Sequence, residues 1–214
     1  MALKQLTKEG EMLIAFEGGE GSGKGTQIRL LEQSLKSRGI DVLSVIEPGE
    51  TAVGKAIRKI LLDRKNLRIL GITEALLFFA ARAQDIRITR HALEKGTVVL
   101  SDRSFYSTYA YSCGARGVSE ILIDTLTEFV VEDTVPDLVI LLDIPPELGL
   151  ARKKTQKEMN RLDKEKLDFH TSVRKTYLDL AKRDPELWKV VDATQGVDEI
   201  HFEVETIVLK ALRI

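Results

Sequence analysis

The stretch Phe16-Glu17-Gly18-Gly19-Glu20-Gly21-Ser22-Gly23-Lys24-Gly25-Thr26 constrains this chain more than any other. An apolar run, Met12–Phe16, precedes it, and a helical pattern with Leu30, Leu31 and Leu35 follows. Gly18 and Gly23-Lys24 stand at the G-x-x-x-x-G-K spacing, which between a strand and a helix spells a phosphate-binding loop. Glycines let the backbone curl until successive amides point at phosphate oxygens. The helix adds partial positive charge at its N-terminus, and the Lys24 ammonium reaches the outer phosphates. Gly18, Gly19, Glu20, Gly21, Ser22, Gly23, Lys24, Gly25 and Thr26 are therefore the candidate contacts to a nucleotide triphosphate.

The position after the lysine ordinarily carries the hydroxyl that holds Mg²⁺. Here it is Gly25, with Thr26 next. A Mg²⁺ ion arriving with ATP must then find protein contact elsewhere or keep more of its water.

A chain of 214 residues is expected to form one domain with a real core. Its net charge of −1 leaves no broad electrostatic footprint for nucleic acid or an anionic membrane. Cys113 stands alone, so there is no disulfide framework and a reducing, cytoplasmic setting suits the chain. Cys113, His91, His170 and His201 read as packing or surface residues. No apolar run reaches the length of a membrane span, and residues 1–11 read as a short polar leader.

Short β-rich runs alternate with amphipathic helical patterns: Met12–Glu17, Val42–Ile46, Val98–Asp102, Leu138–Asp143 and Lys189–Asp192. Such alternation predicts a three-layer α/β fold, a five-stranded parallel sheet with helices on both faces. Ligands of open sheets lie at the carboxyl ends of the strands. The second strand ends in a Glu47-Pro48-Gly49 turn before a helix holding Arg58. A long helix from Thr73 places Phe78 and Arg82 on one face, four residues apart; Phe79 reads as core. The third strand ends in Asp102-Arg103, a carboxylate for a nucleotide-bound cation beside an arginine for a second phosphate. Ser107-Thr108-Tyr109-Ala110-Tyr111 follows, suited to holding the edge of a planar ring. The cationic stretch containing Arg152, Lys153, Lys154, Lys157 and Arg161, at about 151–163, reads as a lid over the phosphates. Leu162–Arg183 reads as helix throughout.

With these pieces in order, the chain resembles bacterial thymidylate (dTMP) kinases, a branch of the P-loop nucleoside monophosphate kinases. The likeness runs from Met12 to the final helix. It is carried by Phe-Glu-Gly-x-Glu-Gly-x-Gly-Lys at 16–24, Glu-Pro-Gly at 47–49, Leu-Phe-Phe-Ala-Ala-Arg at 77–82, Asp-Arg at 102–103, Pro-Asp-Leu at 136–138, Asn-Arg-Leu-Asp at 160–163 and Asp-Ala-Thr-Gln at 192–195. It implies the P-loop NTPase fold, ATP and dTMP as substrates, Mg²⁺ as the cofactor and a homodimer. By matching position it implies that Phe78 stacks on thymine, Arg82 reaches an exocyclic oxygen, and Thr108 lies at the base edge. Tyr111 sits beneath the sugar, Ser107 belongs to the same segment, and Arg58 and Arg103 grip the dTMP phosphate. Glu47 belongs to the matching turn. Glu20 lies near the sugar 3′-hydroxyl and the metal, and Asp102 holds Mg²⁺, directly or through water. Lys24, Asp102, Arg103, Glu20 and Arg161 form the implied catalytic set. Arg161 comes down on the transferring group, with Arg152 as a second candidate on the ATP side.

Three departures from the family pattern mark the acceptor side: Ile46 in place of arginine, Glu50 in place of a second glycine, and Ser112 where a glutamine is common. The expected reaction is ATP + dTMP to ADP + dTDP. It needs no general base, because the accepting phosphate oxygen is already anionic. The spelling Gly-Lys-Gly-Thr leaves a kinase for another monophosphate, adenylate above all, as the alternative. A non-catalytic ATP-binding module stands further off, since it would not need an arginine-lined acceptor site.

Overall fold

The computed structural model describes residues 11–66, 69–155 and 159–214. Most of the polar leader, and Lys157 of the lid segment, therefore lie outside the described residues. Five strands, β1 (Met12–Glu17), β2 (Val42–Ile46), β3 (Val98–Asp102), β4 (Leu138–Asp143) and β5 (Trp188–Asp192), form one parallel sheet in the order β2-β3-β1-β4-β5. Four strands match the expected bounds, and the fifth starts one residue early because Trp188, 3% exposed, is drawn into the core.

The strand pattern has period two on both faces, as a sheet covered on both sides requires. Ile14 and Phe16 of β1, Leu100 of β3, and Ile140 and Leu142 of β4 point to one face. There they meet Ile28, Leu31 and Leu35 of α1 (Lys24–Ser37) and Ile200, Val204 and Val208 of α8 (Val197–Leu212). The alternate residues Ala15, Val139 and Leu141 point the other way, onto Phe169, Val173 and Tyr177 of α7 (Leu167–Arg183). On that side, α2 (Ala52–Leu62) packs with α3 (Gly71–Glu94), and α3 with α5 (Glu120–Val131).

The expected helix from Leu162 is interrupted. Asn160 Oδ1 accepts from the amides of Leu162 and Asp163 at 2.8 and 3.1 Å, and Asp163 Oδ2 accepts from the Asn160 amide at 2.7 Å. These reciprocal bonds close a short 3₁₀ turn, Leu162–Lys164, and the backbone is extended at Glu165 and Lys166 before α7 begins.

Register brings three strand ends level. Asp102 of β3 pairs with Phe16 of β1 on one side and Ile46 of β2 on the other. The phosphate loop, the Glu-Pro-Gly turn and the Asp-Arg segment therefore leave the sheet side by side.

Candidate active site

A cavity of about 420 Å³ opens at these strand ends. At one end it is lined by Glu20–Thr26; at the other by Arg58, Phe78, Ser107, Thr108 and Tyr111; Asp102 and Arg103 belong to the same lining. The loop backbone needs glycine at Gly18, with φ of 143°, because a Cβ there would meet the Leu142 carbonyl at 2.6 Å. Gly21 and Gly149, the latter on α6 (Pro146–Thr155), meet backbone to backbone, so neither has space for a side chain. Lys24 curls back over the loop, donating to the carbonyls of Gly18 and Gly19 at 3.0 and 3.1 Å and to Ser22 Oγ at 3.3 Å. Burial, followed by Arg103, pulls its ammonium down to about 8, against the opposing pull of Asp102 and Glu20.

Arg103 joins the two ends. Its Nη2 donates to Glu20 Oε1 at 3.0 Å and to the Tyr111 hydroxyl at 3.2 Å; its Nη1 donates to the Gly18 carbonyl and to Ser107 Oγ at 3.3 and 3.2 Å. The guanidinium also lies over the Tyr111 ring, 5.1 Å from its centroid. Glu20 additionally accepts from the Tyr111 hydroxyl at 2.9 Å. Burial pushes the Glu20 carboxyl up, but Arg103 and Lys24 outweigh it and bring it to about 2. Nearby Asp163 goes the other way, to about 6, through burial and the charge of Glu20.

Asp102 Oδ1 is buried without a hydrogen-bond partner. A buried carboxylate oxygen left bare at a phosphate pocket fits a cation shared with phosphates and water. No cluster of three or more His, Cys, Asp or Glu residues suited to a metal occurs among the described residues. An ion here would thus be held in large part by its nucleotide. Oε1 of Glu20, the other expected metal contact, is taken up by Arg103 and Tyr111.

The acceptor wall is built from behind. Asp85 of α3, 2% exposed, accepts from the amides of Gly49 and Thr51 at 2.7 and 2.9 Å and from Thr51 Oγ1 at 2.8 Å. Arg58 donates to the Pro48 carbonyl at 2.7 Å. Phe78 is half-buried and faces the cavity, while Phe79 is core, as expected. Arg82 is placed differently from the expectation of direct contact with a base. It is 2% exposed, bound to Glu47 at 2.8 Å, the Ser104 carbonyl at 2.9 Å and Thr108 Oγ1 at 3.2 Å, and stands in the wall rather than on its surface. Glu47 is raised by burial, against the pull of Arg82.

The lid arginines are also placed differently. Arg161 is buried against Glu74 of α3 and donates from Nε to the Leu61 carbonyl at 2.8 Å. Glu74 is a fully buried carboxylate that needs a cation, and Arg161 supplies it. Arg152 bonds the carbonyls of Ala193 and Thr194 at 2.7 and 3.2 Å, beside the loop after β5. Lys153 and Asn160 line the cavity instead. Of the departures, Ile46 also lines the cavity, Glu50 accepts from the Ile46 amide at 2.6 Å, and Ser112 is fully buried.

Asp85 and Gly149 were not singled out in the sequence, whereas Lys153 belongs to the stretch expected to cover the phosphates. A glycine three residues into a helix was a legible signal for Gly149; an aspartate within a helix offered none. Cys113 is half-buried and pushed up to about 11, first by burial and then by Glu120, so it stays a thiol.

A family model described as thymidylate kinase matches residues 16–204. A protein named thymidylate kinase from Thermosipho africanus is 43% identical over 203 residues, covering 94% of this chain and all of its own. Another of that name from Thermomicrobium roseum is 49% identical over 184 residues, covering 85% of this chain and 86% of its own. One from Marinomonas is 42% identical over 193 residues, 90% and 91% of the two chains.

Proposed function

The chain belongs to the thymidylate kinase family, and we propose that its cavity transfers the γ-phosphoryl group of ATP to dTMP, giving ADP and dTDP for dTTP synthesis. The observation that carries this reading is the continuity of one cavity, from the phosphate loop to the wall formed by Arg58, Phe78 and Tyr111. ATP lies with its phosphates on the loop amides and Lys24, and Arg152 borders the nucleoside side. Phe78 stacks on thymine, Thr108 meets the base edge with Arg82 fixed behind it, and Tyr111 supports the sugar above Glu20. Arg58 and Arg103 hold the acceptor phosphate.

The acceptor oxygen is anionic, so chemistry needs positioning and charge neutralisation rather than a base. When bound with ATP, Mg²⁺ supplies charge to the phosphates; Asp102 is the residue with an oxygen free to hold it. Lys24 abandons its carbonyl partners for phosphate oxygens. Displacement of water by the two nucleotides strengthens each of these contacts.

A homodimer is the proposed assembly, supported by exposed apolar side chains on α3 and α5, among them Leu76, Ile88, Ile121 and Phe129. A monomer in sedimentation at micromolar concentration would overturn it. A lone cysteine supports a cytoplasmic setting.

The test of function is ADP release from Mg·ATP with dTMP, dUMP, AMP, CMP and GMP as separate acceptors. A strong preference for dTMP is expected. A preference for AMP would mean that the thymine wall is misread, and ATP binding without turnover on any acceptor would mark a binding module.

A further inference from the structure

We propose that Tyr177 of α7 is a positioning residue for Arg103, acting with Glu17 of β1 to aim the guanidinium at the acceptor phosphate; this rests on the reading of that subsite given above. Arg103 is held in an unfavourable backbone conformation for a residue with a side chain, φ 77°. Its amide donates to the Phe16 carbonyl at 3.0 Å, and its own carbonyl accepts from Ser101 Oγ at 2.6 Å. The backbone is thereby pinned. The side chain is aimed by a second, buried set of groups.

Glu17 is fully buried. Its Oε1 accepts from the Ser104 amide and hydroxyl at 2.8 and 2.7 Å; its Oε2 accepts from Ser107 Oγ and the Tyr177 hydroxyl at 2.6 and 2.8 Å. Ser107 and Tyr177 are also 2.8 Å apart, oxygen to oxygen. This triangle has three sides, but each hydroxyl brings a single proton, so one side lacks a hydrogen. Each of the three arrangements leaves a lone pair on both hydroxyl oxygens. Arg103 Nη1 lies against these lone pairs, 3.2 Å from Ser107 and 3.4 Å from Tyr177.

Burial, followed by the charge of Glu17, pushes the Tyr177 phenol well above its ordinary range, so it remains a neutral acceptor for the arginine. The ring of Tyr177 belongs to the apolar cluster with Trp188 and Val139. Phenylalanine would satisfy that packing. Only the hydroxyl reaches the polar set, and desolvating a carboxylate and two hydroxyls merely to fill a core is costly. Arg103, which lines the cavity together with Ser107, is the charged group this set faces there.

The test is Tyr177→Phe in the full chain, with dTMP and thymidine binding measured beside steady-state kinetics. Loss of a hydrogen-bond partner of a charged group is expected to weaken dTMP binding about tenfold. Affinity for thymidine, which lacks the phosphate, and the KM for ATP should stay unchanged. Glu17→Gln is the second variant, expected to show the same selective loss, and it serves if the first does not fold. Equal losses for dTMP and thymidine, or unchanged dTMP affinity in a folded variant, would overturn the proposal. Failure of the wild-type protein to bind dTMP would instead overturn the acceptor assignment.

Discussion

Arg161 and Glu74 form an ion pair sealed from solvent, with side chains 3% and 0% exposed, that ties the turn before α7 to the first turn of α3. Arg116 approaches the same carboxylate at 3.6 Å and Glu165 at 2.6 Å. In this structure the arginine expected on the transferring phosphoryl group is paired with Glu74 and the Leu61 carbonyl.

Arg161→Ala should therefore act on stability. Removing one partner of a buried pair typically costs about 3–5 kcal/mol, and Arg116 should moderate this. Urea unfolding is the check. An unchanged midpoint with lost kcat would return Arg161 to the chemistry.

Phe78→Ala should act on the acceptor alone. Loss of an aromatic stack of about 0.5–1.5 kcal/mol predicts a KM for dTMP raised roughly two- to tenfold, with the KM for ATP unchanged. Equal effects on both substrates would show that Phe78 supports the cavity as a whole.

How much of this was visible beforehand depends on where each residue's partner lies. The strands announced themselves because apolar residues such as Ile14, Phe16, Val139 and Leu141 alternate between two covered faces, a local pattern. Spacing to Arg82 does not separate Phe78 from Phe79, since residues three and four apart share a helix face: Phe78 lines the cavity, and the Arg82 guanidinium lies over the Phe79 ring, 5.1 Å from its centroid. Arg161 could not be placed, because a lid arginine reads the same whether it faces phosphate or a carboxylate 87 residues away. The late start of α7 turned on the side chains of Asn160 and Asp163 closing on each other. Asp85 was illegible for the same reason as Arg161: its partners, Gly49 and Thr51, lie on another element.

Lys24 gives a pH dependence with a definite sign. Its ammonium is lowered to about 8 in the free protein, by burial first and Arg103 next, and phosphate favours the charged form. ATP affinity should be level below about pH 8 and fall above it, with net proton uptake on binding in that range. Calorimetry in buffers of different ionisation enthalpy reads the uptake directly. Binding without proton exchange at pH 8.5 would mean that Lys24 stays fully charged.

Gly149→Ala should damage the phosphate loop from outside it. The added Cβ would run into the carbonyl of Glu20, which is backbone and cannot swing aside. ATP affinity should fall at least tenfold, an order-of-magnitude expectation for a loop held by close backbone contact, while thymidine binding persists. Normal ATP affinity would mean that α6 and the loop separate easily.

ATP and dTMP are proposed to occupy the two ends of one cavity at the same time. Inhibition by adenosine and thymidine joined 5′ to 5′ through a chain of phosphates tests this most directly. Inhibition should be competitive with ATP and also competitive with dTMP. Competition with one substrate alone would contradict it, placing the second nucleotide somewhere other than against Phe78 and Arg103.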